Sequence, residues 1–337
     1  MAKVSVIGTG SWGIALATVL EKNGHEVTAW SAIEEEIRML QRDREHKEKL
    51  PGVRLEDGIQ LTANLGQAAC GRDLLVLAVP SVFVRSTAKK LKPYVDGQTL
   101  IVNVAKGIEE NTLMTLTDII SEEIPKARVA VLSGPSHAEE VGRGLPTTCV
   151  AGAKRKEDAE YVQNIFMNDV FRVYTSPDML GVELGGALKN VIALAAGMAD
   201  GVGYGDNTKA ALITRGITEI GRLALAMGAK YETLSGLTGI GDLIVTCASM
   251  HSRNRRAGML IGQGKTMEEA MEEVHMVVEG VYSAKAAMGL AEKYQVPMPI
   301  IEEVNRVLFA GEPVKEAVQG LMLRDKKAEH EKMWEDA

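Results

Sequence analysis

At 337 residues the chain has room for about two domains of roughly 150 residues each. Its 46% hydrophobic and 25% charged content excludes a disordered chain or a collagen-like fibre. Lys+Arg 38 against Asp+Glu 45 leaves a net charge of −7, the wrong sign for a general nucleic-acid binder, so a partner must be sought in a local pocket.

The first apolar run, residues 4–7, is too short for a signal-peptide core and leads straight into glycines. Strand-like runs lie at 3–7, 26–30, 73–79, 99–102, 129–132 and 147–150. Helix-period stretches at 14–22, 33–42, 82–91 and 112–122 separate most of them. Continuous apolar strands alternating with helices predict a parallel sheet covered on both faces. Residues 43–59 are charged and irregular and read as a surface loop. Beyond Thr175 strand signals vanish, and Ala/Leu/Met/Gly-rich helical patterns take over at 177–199, 208–227, 267–273, 282–294 and 300–310. Pro177, and Asp206 or Asn207, read as helix-boundary residues. The Ala and Gly content of 185–203 predicts close helix packing. The longest apolar stretch, 191–199, is nine residues, well short of the roughly 18 a membrane span needs. The chain thus reads as an α/β protein: an N-terminal Rossmann domain with a doubly wound parallel sheet, 1–178, then an all-helical domain, 179–337, whose charged tail 324–337 is a solvated or frayed end. Cys70, Cys149 and Cys247 form no CxxC pair and no metal spacing, and read as reduced cytosolic thiols with no metal site.

Val4-Ser5-Val6-Ile7-Gly8-Thr9-Gly10-Ser11-Trp12-Gly13 fits a strand, GxGxxG and a helix. Gly8 permits the tight turn, Gly10 lets the backbone approach a pyrophosphate, and Gly13 lets the helix pack on the strand. Free N–H groups at the helix start then meet the phosphates. Asp or Glu closing the second strand would favour NAD, and a nearby Arg NADP. Trp30-Ser31-Ala32-Ile33-Glu34 offers neither, with Glu34 falling too late, so the preference stays open.

Three segments follow strands, where parallel sheets present ligands. Val79-Pro80-Ser81 reads equally as a ligand turn or a plain one. Asn103-Val104-Ala105-Lys106-Gly107 places a lysine where it faces a ligand. Ser133-Gly134-Pro135-Ser136-His137-Ala138 offers N–H and hydroxyl donors to a phosphate, while His137 reads as structural. In the helical half, Lys189 has Gly185, Gly186, Ile192 and Ala193 at helical spacing, none acidic. It either snorkels to the surface or faces a cleft, where desolvation suits it to proton transfer. Asp242 follows two glycines in an apolar segment and is its natural partner. Ser252-Arg253-Asn254-Arg255-Arg256 opens a helix at 257–261, with Ser252 or Asn254 as cap and an anion site among the arginines. Arg255 and Arg256 also read as a basic surface face. Val277-Val278-Glu279-Gly280 is ambiguous on physical grounds.

The ordered set GxGSWG, NVAKG, SGPSHAEE, ELGGALKN, LTGIGDLIVTC and SRNRR, spanning about 3–323, resembles the soluble NAD(P)-dependent glycerol-3-phosphate dehydrogenases, particularly the bacterial type. The resemblance implies reversible reduction of dihydroxyacetone phosphate to sn-glycerol 3-phosphate with NAD(P)H, supply of glycerophospholipid synthesis, and a cytoplasmic homodimer. By motif position it implies cofactor contacts at Ser11, Trp12, the glycines, Lys106, Ala138, Arg253, Val277 and Glu279. Substrate contacts would be Lys106, Gly134, Ser136, Lys189, Asp242, Ser252, Arg253 and Asn254. Lys189 matches the proton donor of ketone reduction, surrounded by Asn190, Asp242 and Thr246, with Asp242 and Asn190 orienting it. Ser31-Ala32-Ile33 departs from the His or Arg many members carry there, which speaks against strong NADP preference. Two other readings stand beside this one: a Rossmann-plus-helical dehydrogenase of a β-hydroxyacid or ketopantoate, and a non-catalytic NAD(H) sensor.

Overall fold

A run of apolar and β-branched residues makes β1 (Lys3–Ile7), whose Val4, Val6 and Ile7 are fully buried. From this computed structural model, which describes residues 1–329, the chain continues through α1 (Ser11–Lys22), β2 (Glu26–Trp30), α2 (Glu34–Asp43), β3 (Gln60–Thr62), α3 (Leu65–Ala69), β4 (Leu74–Leu77), α4 (Val84–Leu91) and β5 (Leu100–Asn103). Then come α5 (Leu116–Glu123), β6 (Arg128–Ser133), α6 (Ala138–Gly142), β7 (Thr147–Ala153), α7 (Lys156–Phe166) and β8 (Phe171–Ser176). One sheet of order β3-β2-β1-β4-β5-β6-β7-β8 results. The strand order reverses between β1 and β4, and the crevice beyond their carboxyl ends is where open α/β sheets take ligands.

The doubly wound sheet is as expected, with three corrections. β7 runs antiparallel to β6, because only the short α6 turn joins them. β3 and β8 escape the sequence pattern: β3 has three residues, and β8 alternates buried and exposed at the sheet edge. The segment 43–59 is irregular but no surface loop, since Leu50, Val53, Leu55 and Ile59 are buried in the core under α1 and α6.

The second half comprises α8 (Met179–Val202), α9 (Asp206–Ala226), α10 (Tyr231–Leu234), a π-helical turn (Leu237–Gly241), α11 (Asp242–Ala248), α12 (Arg253–Gly262), α13 (Met267–Val274), α14 (Glu279–Tyr294), α15 (Pro299–Asn305) and α16 (Val314–Met322). α8 is long and apolar enough to cross a bilayer, but 94% of its apolar window is buried inside the protein, where it forms the core of the helical domain. Its cap is Asp178 rather than Pro177, through an N–H bond from Gly181. α9 is preceded by Gly205, with Asp206 already in its first turn. The predicted close packing is found where α8 crosses α12: a Cβ on Gly258 would lie 2.2 Å from the Leu194 carbonyl oxygen, so the two backbones touch. Of the tail, residues 324–329 are exposed, and 330–337 lie outside the described residues.

A buried carboxylate ties the halves together. Glu183 on α8 accepts from the Thr117 backbone N–H in the first turn of α5 at 2.9 Å. Burial pushes this carboxyl up to about 7, against the opposing Thr117 bonds.

Candidate active site

The glycine turn lies at the β1/β4 crevice. Gly8 donates to the Trp30 carbonyl at 2.8 Å and holds φ at +124°, a conformation only glycine adopts freely. A Cβ on Gly13 would collide with the Gly8 carbonyl oxygen at 1.9 Å, so Gly13 serves the turn as well as the packing of α1 on the sheet. Gly10 differs: a Cβ there would meet nothing within 4 Å, and no side chain caps α1. Open space over uncapped N–H groups is the cradle a pyrophosphate needs, so these residues fit a dinucleotide. Ser11 closes one side through a bond from its hydroxyl to the Lys49 carbonyl at 2.6 Å, and Trp12 packs half-buried against the core.

Beyond β5, Asn103 folds the chain back by bonding Ala105 through both amide atoms, which aims Lys106 across the crevice. Lys106 Nζ donates to the Gly134 carbonyl at 2.9 Å and to Asp242 Oδ2 at 2.6 Å. Gly134 is held at φ +152°, where a Cβ would sit 2.9 Å from the Cys149 backbone, and Ser136 donates back to the Gly134 carbonyl at 3.0 Å. Ala138 opens α6 beside them.

The helical domain meets this edge with Lys189, 5% exposed. It does not snorkel. Its Nζ donates to Asp242 Oδ1 and, at 2.6 Å, to the Thr246 hydroxyl, one turn further along α11. Thr246 in turn donates to the Asp242 carbonyl at 2.6 Å. The π-helical turn before α11 swings Asp242 toward α8, and the carboxylate, 1% exposed, is shared by two ammonium groups. Burial pushes Lys189 down to about 7 and Lys106 adds repulsion, against the raising effect of Asp242. Asp242 is lowered by its two lysines despite its burial. With both lysines protonated the cluster carries one positive charge beyond neutrality, a setting for an anionic ligand.

The segment 252–256 is arranged differently from the expectation. α12 starts at Arg253 rather than near 257, and Ser252 is its cap, accepting from the Arg255 N–H at 3.2 Å. Asn254 lies inside the helix and donates through Nδ2 to Asn190 Oδ1 at 3.0 Å, while its own Oδ1 accepts from the Gly280 N–H at 2.8 Å. Asn190 therefore braces α8 against α12 and α14, and does not orient Lys189 by a hydrogen bond. Arg255 is no surface residue: it pairs with Asp200 at 2.8 Å, with its side chain 12% exposed. Arg253, half-buried, makes no ion pair among the described residues and stands free at the helix start. Arg256 is exposed, as read.

Glu279 resolves the ambiguous segment. It leads α14 back to the crevice and accepts from the Ser81 N–H at 3.1 Å and from the Ser81 hydroxyl, so Ser81 receives the other domain. Burial raises this carboxyl. Val277, half-buried, precedes it. His137, read as structural, has its Nε2 buried without a partner among the described residues and its ring 5.8 Å from that of His251. Two contacts were beyond sequence reasoning, Lys106–Asp242 and Ser81–Glu279. Each joins residues more than a hundred positions apart, where no spacing can signal them.

A family model described as the N-terminus of NAD-dependent glycerol-3-phosphate dehydrogenase matches residues 3–159, and its C-terminal counterpart matches 178–319. The chain is similar to the glycerol-3-phosphate dehydrogenase [NAD(P)+] of Agathobacter rectalis, 69% identical over 330 residues that cover 98% of each chain. It is 63% identical to the enzyme of the same name from Fusobacterium nucleatum, over 98% of this chain and 99% of that one. Among solved structures, the glycerol-3-phosphate dehydrogenase of Coxiella burnetii superposes with a TM-score of 0.93 at 35% identity, over 96% of this chain and 99% of that one.

Proposed function

The chain belongs to the NAD-dependent glycerol-3-phosphate dehydrogenase family and is an NAD(P)-dependent oxidoreductase that reversibly reduces dihydroxyacetone phosphate to sn-glycerol 3-phosphate; on that premise we propose how its residues divide the work. The observation that carries the proposal is the buried Lys189–Asp242–Lys106 cluster at the junction of the two domains.

Gly8, Gly10, Ser11, Trp12 and Gly13 hold the dinucleotide, with Ala138, Val277 and Glu279 along its further length. Bound NAD(P)H supplies the hydride. Arg253 and the first turn of α12 hold the substrate phosphate, with Ser252 fixing that turn and Asn254 fixing it to α8 and α14. Binding the unreactive phosphate places the carbonyl beside Lys189, which converts remote binding energy into position. Lys106, Gly134 and Ser136 close the opposite side. Lys189 gives the proton to the oxygen as the ketone is reduced, and takes it back in alcohol oxidation. Its lowered affinity for the proton suits both directions near neutral pH. Asp242 holds the ammonium through Oδ1 and Thr246 holds it through its hydroxyl, while Lys106 keeps Asp242 ionised. No metal enters this scheme, and no group of His, Cys, Asp and Glu able to hold one occurs among the described residues.

The reading extends to supply of glycerophospholipid synthesis by a cytoplasmic homodimer, and to a domain boundary at 178/179, supported by the passage there from the last strand to α8. The test is the fall in reduced-nicotinamide absorbance when dihydroxyacetone phosphate is added with NADH or NADPH. Decay establishes the reaction. Turnover of a hydroxyacid alone would return the assignment to the β-hydroxyacid and ketopantoate reading, and cofactor binding with no turnover would return it to the sensor.

A further inference from the structure

The end of β2 lacks the carboxylate that would read an adenosine ribose, yet the structure supplies one from elsewhere. Glu36, in the first turn of α2, folds its side chain back toward the glycine turn. Its Oε2 accepts from the Thr9 hydroxyl at 2.7 Å, within GxGxxG, and from the Ser31 hydroxyl, the first residue after β2. Its Oε1 accepts from His46 Nε2 at 2.9 Å and from Lys49 Nζ. His46 is fixed as the donor because its Nδ1 accepts the Lys49 backbone N–H at 3.2 Å. The side chains of Glu36 and His46 are 9% and 4% exposed, and that of Lys49 is 33% exposed. These contacts hold the supposed loop 43–59 down on the cofactor crevice. They also leave the carboxylate ionised, held well below the usual range by its four donors despite burial.

In a Rossmann domain the ribose 2′ position lands at the end of β2, where a carboxylate receives a hydroxyl and a cation receives a 2′-phosphate. This chain places both there, bound to each other. Resting on the family reading, we propose that Glu36 sets the choice between NADH and NADPH: it spends the charge of Lys49 in an ion pair, so that a 2′-hydroxyl meets a neutral pocket while a 2′-phosphate must break the pair. Glu35 beside it, exposed at the same helix start, adds negative charge against a phosphate, while Glu34 is paired with Arg38.

The experiment measures dissociation constants of NADH and NADPH by reduced-nicotinamide fluorescence for the wild type, Glu36→Gln and Lys49→Met, without substrate. An amide cannot accept from all four donors, so Glu36→Gln frees Lys49. It is expected to shift the affinity ratio toward NADPH by at least about tenfold, the size of one charge-assisted hydrogen bond. Lys49→Met is expected to shift the ratio toward NADH. A ratio within twofold of wild type in Glu36→Gln, or a shift toward NADH, overturns the proposal. Should Glu36→Gln fail to fold, Lys49→Met carries the test, and an unmoved ratio there overturns it. Failure of the wild type to bind either cofactor would instead sink the family reading, so the two failures are distinct.

Discussion

The glycine turn and the lysine–aspartate cluster are built on different principles. The turn is contiguous: ten consecutive residues contain the strand, the bend and the helix start, with Gly13 set against the Gly8 carbonyl and Gly8 against the Ala78 backbone beyond β4. The cluster is assembled at long range. Lys106, Lys189 and Asp242 arrive from the loop after β5, the middle of a core helix and the first residue of α11, and none has its ion pair within its own element. A local device fails one backbone contact at a time. A buried charge cluster couples its members through the group they share, because removing the carboxylate leaves both lysines uncompensated.

That difference orders the expected effects. Asp242→Asn leaves the buried Lys189 and the half-buried Lys106 facing an amide and should destabilise the fold by about 3–5 kcal/mol, read from denaturant unfolding, together with loss of activity. If stability were unchanged, the cluster would not be the interdependent unit described. Lys189→Ala should lower kcat for dihydroxyacetone phosphate by at least about two orders of magnitude, while the dissociation constant for NADH stays near wild type. Arg253→Ala should raise KM for the phosphorylated substrate by about tenfold to a hundredfold with a smaller change in kcat. An unchanged KM would remove the phosphate from the start of α12. Gly10→Ala, at a position with open space around it, should weaken NADH binding by about tenfold and leave Tm unmoved, since the added methyl meets only the cofactor. A fall in Tm of the same order as in the Asp242 variant would erase the contrast between the two regions.

The same contrast explains what could be read from sequence. β1, β2 and the glycine turn were legible because their signals are contiguous. The partnership of Lys189 with Asp242 was legible because a lysine and a carboxylate in apolar segments each need a partner. Lys106 as the second claimant on Asp242 was not, nor was Asn190 turned toward Asn254, since both depend on how the domains meet. Ser31-Ala32-Ile33 carries no carboxylate, and that of Glu36, five positions on, reaches the end of β2 only through the fold. The position of β8 was hidden by its exposed Arg172 and Tyr174, which give an edge strand a polar texture.

Titration adds a directional check. Ketone reduction needs the ammonium form of Lys189, so its rate should fall as pH rises through about 7, while alcohol oxidation, which needs the neutral amine, should rise over the same interval. Parallel pH profiles in the two directions would contradict a single group serving both.

The most direct test of Lys189 as the proton carrier is the initial rate of dihydroxyacetone phosphate-dependent NADH oxidation in the wild type and in Lys189→Ala at saturating substrate and cofactor. The account predicts rapid turnover in the wild type and a loss of at least about a hundredfold in the variant, with cofactor binding intact. Near-normal turnover by Lys189→Ala would contradict it and move the proton to another group in the cluster.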